Sequence, residues 1–207
     1  VASFLEQALE AGFSFVDKKK TKIKKVIIPG YSLEIVLVDG TWGELYEVGF
    51  NLWSPRFGKT MNELFGEYEK VAVAYHTRDF IDNPEGCLSV AGVGWDEAPS
   101  GEMELYAAAT YLSFETLISS LLGITNSSGI YSLIYEGDEA SFFPPSELLW
   151  VYLYLHKEMG FSSDEILDKL AGEKKNFPAK TLKPIDLELL NAFDGAYEKA
   201  RKKENRK

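Results

Sequence analysis

The 207-residue chain is poor in the residues that most often announce chemistry: one cysteine and two histidines. A single cysteine makes no internal bridge, so a disulfide scaffold is excluded and a reducing, cytoplasmic setting is the expected one. One cysteine and two distant histidines also cannot supply a zinc-ligand spacing, and no metal is expected. Long apolar runs are missing too. The longest uncharged stretch, Thr116 to Tyr135, is interrupted by Ser119, Ser120, Thr125, Asn126, Ser127, Ser128 and Ser132, too polar for a membrane span. Residues 1 to 16 lack a basic start and carry Glu6 and Glu10, so they do not read as a signal peptide.

A third absence is regional. From Asp79 through His156 there is no lysine or arginine, while twelve acidic residues fall in the same span, from Asp79, Asp82 and Glu85 to Glu136, Asp138, Glu139 and Glu147. The formal net charge of −10 therefore conceals a partition. Lys18, Lys19, Lys20, Lys22, Lys24 and Lys25 form one basic cluster, and Lys199, Arg201, Lys202, Lys203, Arg206 and Lys207 form another. An acidic field of this kind repels nucleic acid and anionic lipid and steers a basic protein partner, with an effect that salt screens over about 8 Å at physiological ionic strength. The basic clusters read as solvated edges.

Composition is otherwise globular, with 45% hydrophobic and 26% charged residues. Length suggests one large domain or one domain with a small appendage. Ser3 and Glu6 form a capping box for a short helix that Gly12 ends. Thr21–Ile28, Leu33–Val38 and Glu44–Trp53 are rich in β-branched and aromatic residues, with Asp39-Gly40 as a hairpin signal. A short helix is bracketed by Pro55 and Gly66. Lys70–His76 reads as a strand, Cys87–Val93 as its partner, and the segment between as a loop. Met103–Leu122 reads as a buried central helix and Ile130–Tyr135 as another strand. Ser146–Met159 is a helix ending at Gly160, Ser162 with Glu165 caps the next, and the last starts near Pro184. Its Ile185, Leu189, Phe193, Tyr197 and Ala200 form an amphipathic stripe. The expected fold is α+β: an early antiparallel sheet packed by a central buried helix, with a helical C-terminal part. Residues 1–171 make the domain, and 172–207 a polar linker with the C-terminal amphipathic helix.

Two constellations carry candidate chemistry. If the strands ending at His76 and starting at Cys87 form a hairpin, a Cys–His pair faces across its mouth, with Asp79 to orient the imidazole and Arg78 to hold an anion. That would suit a cysteine-dependent hydrolase or transferase, and fast alkylation of Cys87 at neutral pH would mark it. The second is an interface: Trp42 at a hairpin tip and Trp95 beside Asp96 and Glu97, with Glu102 and Glu104 nearby, pair aromatic anchors with an acidic rim.

Other motifs fall short. Gly58-Lys59-Thr60 ends like a phosphate loop, but Trp53 stands where the first glycine is required. Gly92 and Gly94 lack the third glycine of a dinucleotide turn. Glu34, Asp39, Glu44 and Glu47 alternate between strand faces and collect on neither. His156 lies in the apolar stripe of Leu148, Leu149, Tyr152, Leu155 and Met159 and reads as structural. No cofactor is expected. The preferred expectation is a non-enzymatic acidic binding module, an inhibitor or immunity-type protein for a basic partner, with no nucleic-acid or membrane ligand. The alternatives are the Cys87/His76 enzyme and a structural subunit whose C-terminal stripe allows homo-oligomerisation.

Overall fold

The computed structural model describes residues 8–19, 21–39, 45–66, 72–82, 88–90, 119, 121–136, 146–172 and 187–204. The chain divides into two compact units, one from residues 1–52 and 75–125, the other from 53–74 and 126–207. The class is α+β.

The first unit is built on a sheet whose strand order follows the chain: β1 (Ser14–Phe15), β2 (Lys22–Ile28), β3 (Tyr31–Asp39), β4 (Leu45–Trp53), β5 (Ala74–Asp82) and β6 (Leu88–Val90). The pairs β1/β2, β2/β3 and β5/β6 are antiparallel. Strand β2 reads Lys-Ile-Lys-Lys-Val-Ile-Ile, and its register sets Ile23 opposite Ile35 and Lys25 opposite Leu33. Successive side chains alternate faces, so Ile23, Leu33 and Ile35 share the inner face, where each is almost wholly buried. Lys22, Lys24 and Val26 take the other. The turn between β2 and β3 uses Pro29 and then Gly30 at φ 84°, the chemistry of a turn that needs a left-handed third residue.

The second unit is helical: α1 (Pro55–Phe65), α2 (Ser127–Tyr135), α3 (Leu148–Glu158), α4 (Ser163–Gly172) and α5 (Leu187–Glu204). Ser54 caps α1 by accepting from the Phe57 amide, Pro55 occupies the first turn, and Gly66 closes the helix at φ 83°. Helix α3 is buried continuously from Val151 to His156, as expected of a helix apolar on all sides. Helix α4 opens on the capping box, with the Ser162 amide and hydroxyl both donating to Glu165 at 2.7 Å. Those two bonds hold the Glu165 carboxyl below its ordinary pKa, the backbone N–H contributing most. Helix α5 packs on α1 and α4. It buries Leu190, Phe193, Ala196, Tyr197 and Ala200, so Phe193, Tyr197 and Ala200 of the stripe found in the sequence are covered, Leu189 is half-buried, and Ile185 lies outside the described residues.

Two expectations are corrected. Residues 130–135 are helical, within α2, because Asn126 caps the segment and Ile130, Tyr131, Leu133 and Ile134 bury one helical face. A short run of apolar and aromatic residues does not separate strand from helix by itself. The strand expected at 70–76 begins at Ala74 and runs to Asp82, so Arg78, Asp79 and Asp82 are strand residues and not loop. The helix expected at 103–122 lies outside the described residues except for helical positions at 119 and 121–123.

Candidate functional site

The candidate residues from the sequence divide by where they fall. His76, Arg78 and Asp79 are on β5. The β5/β6 register pairs Asp82 with Leu88, so His76 stands six residues behind the closing pair, about 20 Å along an extended strand. Cys87, Trp42, Trp95, Asp96, Glu97, Glu102 and Glu104 lie outside the described residues.

Charged groups are arranged differently in the two units. In the helical unit, five of the described cations are paired internally. Arg56 on α1 donates from one guanidinium nitrogen to Glu158 at 2.7 Å and from another to Glu204 at 2.8 Å, joining α1, α3 and α5. Tyr197 adds a phenol bond to the same Glu158 at 2.7 Å. Burial disfavours the charged guanidinium, but the bonds to Glu204 and Glu158 outweigh it and hold the Arg56 pKa above its ordinary value. Burial, then donation to the Glu158 carboxylate, pushes the Tyr197 phenol up to about 12. Lys59 reaches Glu204, Lys157 meets Asp194 at 2.8 Å, Arg201 pairs with Glu198, and Lys203 with Glu63. All these acids lie outside the span Asp79–His156.

Lys157 also approaches Ser163, whose hydroxyl donates to Asp194. With the Lys157 amine against the Asp194 carboxylate and near the Ser163 hydroxyl, this triad ties α3 to α4 and α5. His156, expected from the sequence to be structural, is buried at 2% exposure, its Nδ1–H donating to the Tyr152 carbonyl at 2.9 Å amid the rings of Tyr131, Tyr152 and Phe161.

In the sheet unit the pattern reverses. Asp17 accepts from the Thr21 hydroxyl at 2.7 Å, the Thr21 amide at 3.0 Å and the Lys22 amide at 3.1 Å. These bonds, that of the Thr21 hydroxyl foremost, hold its carboxyl below the ordinary value and fix the loop between β1 and β2. The loop carries Lys18 and Lys19 outward, and Lys22 follows, also exposed. Lys25 is occupied by the Ala11 carbonyl. Sequence reasoning took this cluster as a solvated edge and passed over Asp17. The spacing of Asp17 to Thr21 across three lysines was the available signal, since a short acceptor before a turn commonly bonds the backbone beyond it.

Among the described residues no group of three His, Cys, Asp or Glu side chains is placed to hold a metal ion. No described helix is long and apolar enough to cross a membrane. No protein-family model matches the chain, and comparison with curated proteins and with solved structures finds no match.

Proposed function

We propose that this chain is a non-enzymatic acidic protein-binding module that neutralises or regulates a basic protein partner in the cytoplasm. The observation that carries the reading is the span Asp79–His156, twelve acids with no lysine or arginine. The ion pairs of the helical unit support it: Arg56, Lys59, Lys157, Arg201 and Lys203 are engaged with Glu158, Glu204, Asp194, Glu198 and Glu63, acids outside that span. The charge of the span is thus not drawn down by these cations.

In this reading Asp96, Glu97, Glu102 and Glu104 steer the partner, Trp95 and Trp42 are the anchors buried on contact, and Arg78 meets an acidic group on the partner's rim. The same field disfavours nucleic acid and anionic lipid as ligands.

The test is capture from a native lysate of the source on the immobilised chain, with a salt gradient for elution and a second column carrying Asp96→Asn, Glu97→Gln, Glu102→Gln and Glu104→Gln. The reading expects a basic protein, retained by the wild-type chain, released at moderate salt and lost or strongly weakened on the neutralised column. A partner equally retained by both columns, or one whose association ignores salt, would contradict it.

A further inference from the structure

Lys18, Lys19, Lys22 and Lys24 make no ion pair among the described residues, whereas five cations of the helical unit do. The loop that presents the first two is held by three bonds to Asp17, so these cations are displayed from a fixed frame. The register sets the rest of the pattern. Ser14 pairs with Lys24, and the Val16 amide donates to the Lys22 carbonyl at 3.0 Å, which places Val16 beside Lys22 on the outer face, with Val26 two residues past Lys24. Val16 is 48% exposed and Val26 68%. Glu34, opposite Lys24 on β3, is the one acid on these rows among the described residues. Along β2 the outer face therefore runs from the loop cations through Lys22 and Lys24 to Val26, in steps of about 7 Å.

Charge selects an anionic partner, and the spacing selects its form. An extended polypeptide repeats its side chains on one face at the same interval of about 7 Å, so acids at alternate positions meet Lys22 and Lys24 in step and the next such position reaches Val26. Open valines among the lysines lose their water only against an apolar neighbour, which a polypeptide supplies and a phosphate backbone does not. Extent decides the same way. The chain carries a net charge of −10, and the pull of the lysines fades over about 8 Å at physiological ionic strength. A nucleic acid or an anionic membrane extends past that range and meets the repulsion of the rest of the chain, whereas a short acidic segment ends within the patch.

We infer that the outer face of the β1–β2 hairpin is a docking surface for an extended acidic segment of a partner protein, with acids at alternate positions against Lys18, Lys19, Lys22 and Lys24 and an apolar side chain against Val26. The Asp17 bonds hold the loop before the segment arrives, so little ordering of the loop is left for binding to supply. The inference does not rest on the role proposed for Asp79–His156. The two surfaces have opposite charge and take different partners.

The experiment is titration of the full chain into a dye-labelled peptide of alternating glutamate and threonine that ends in valine, read by fluorescence anisotropy over a salt series. Duplex DNA and vesicles containing phosphatidylserine are titrated alongside. The chains are the wild type, a hairpin variant (Lys18→Gln, Lys19→Gln, Lys22→Gln, Lys24→Gln), Val26→Ser, and the acid variant described above. The substituted hairpin residues are exposed or half-buried, and circular dichroism with thermal unfolding checks that each variant retains its fold. The wild type and the acid variant are expected to bind the peptide saturably, more weakly as salt rises, and in preference to the duplex and the vesicles. Each neutralised lysine should weaken binding about twofold to fivefold, so the hairpin variant should lose more than about tenfold, and Val26→Ser about twofold to fivefold. A wild type that does not bind the peptide, a hairpin variant that binds it as well as the wild type, a Val26→Ser chain of unchanged affinity, or tighter binding of the duplex or the vesicles would overturn the proposal. Capture of a basic protein by the hairpin variant tests the proposed function separately, because that variant keeps its acids: capture by a chain that never binds the peptide defeats this inference and leaves the function standing.

Discussion

Replacing Arg56 by methionine removes the cation that joins three helices while keeping most of its stem packing. The side chains of Arg56, Glu158 and Glu204 are 26%, 12% and 25% exposed, so the cluster is neither at the surface nor fully buried. Exposed pairs contribute about 0 to 1 kcal/mol. Breaking a fully buried one costs about 3 to 5 kcal/mol, because a charge is left in low dielectric without its partner. The intermediate burial places Arg56→Met at about 2 kcal/mol, or about 4 to 8 °C in Tm for a domain of this size. The cost should be unevenly shared. Glu158 is the more buried acid, so a double-mutant cycle with Glu158→Gln should give a coupling of about 1.5 kcal/mol, against about 0.5 kcal/mol with Glu204→Gln, which Lys59 also contacts. Urea unfolding of the four variants of each cycle measures both. A second readout is spectroscopic: Arg56 lowers the Tyr197 pKa, so its loss should push that phenol still higher. Couplings near zero, or a Tyr197 titration that does not move, would refute the account of this cluster.

Tyr197 gives a pH prediction of its own. Its folded pKa of about 12 exceeds the ordinary 10.0, so its stabilising contribution is complete below pH 10 and is lost as pH rises toward 12. Discounted for solvent screening, the raised value contributes on the order of 1 to 2 kcal/mol; Tyr197→Phe should flatten this part of the stability profile, as denaturant midpoints at several alkaline pH values would show. Ser54→Ala removes both the cap of α1 and a buried bond to the Tyr154 hydroxyl at 2.7 Å, and should cost about 1 to 2 kcal/mol in chemical unfolding, with Ser54→Asn recovering the cap alone. Asp17 has a lowered folded pKa, so its bonds persist above its ordinary range and open only as pH falls through the folded value. Asp17→Ala should therefore speed amide exchange at Thr21 and Lys22 at neutral pH without a comparable change at Ile23.

What could be read from the sequence was local. The β-branched run Thr21–Ile28, the Pro55 start and Gly66 stop of α1, and the Ser162/Glu165 box each lie within a few residues of the structure they specify. The stripe on the last helix was legible as a periodicity, although the buried residue in its first turn is Leu190 and Leu189 is only half-buried. Non-local features were not legible. Arg56 finds acids 102 and 148 residues away, a pairing that no local pattern encodes. Strand β5 continues through Thr77, Arg78 and Asp79, residues of turn-like polarity, because β6 supplies the hydrogen-bonding partner at Phe80, Ile81 and Asp82. Residues 130–135 failed for the opposite reason: a short apolar run fits either period, and the Asn126 cap, bonding the Gly129 amide at 3.1 Å, settles it as helix.

The central claim is that the acids of Asp79–His156 form a surface for a basic protein. Its most direct measurement is the association rate of the captured partner with the purified chain across a salt series, for the wild type and the Asp96/Glu97/Glu102/Glu104 neutralised variant. The account predicts a wild-type rate that falls steeply as salt rises, and a variant rate that is lower at low salt and converges with the wild type at high salt. Rates that are the same for both chains, or flat with salt, would show that the acidic field serves only to keep the chain in solution.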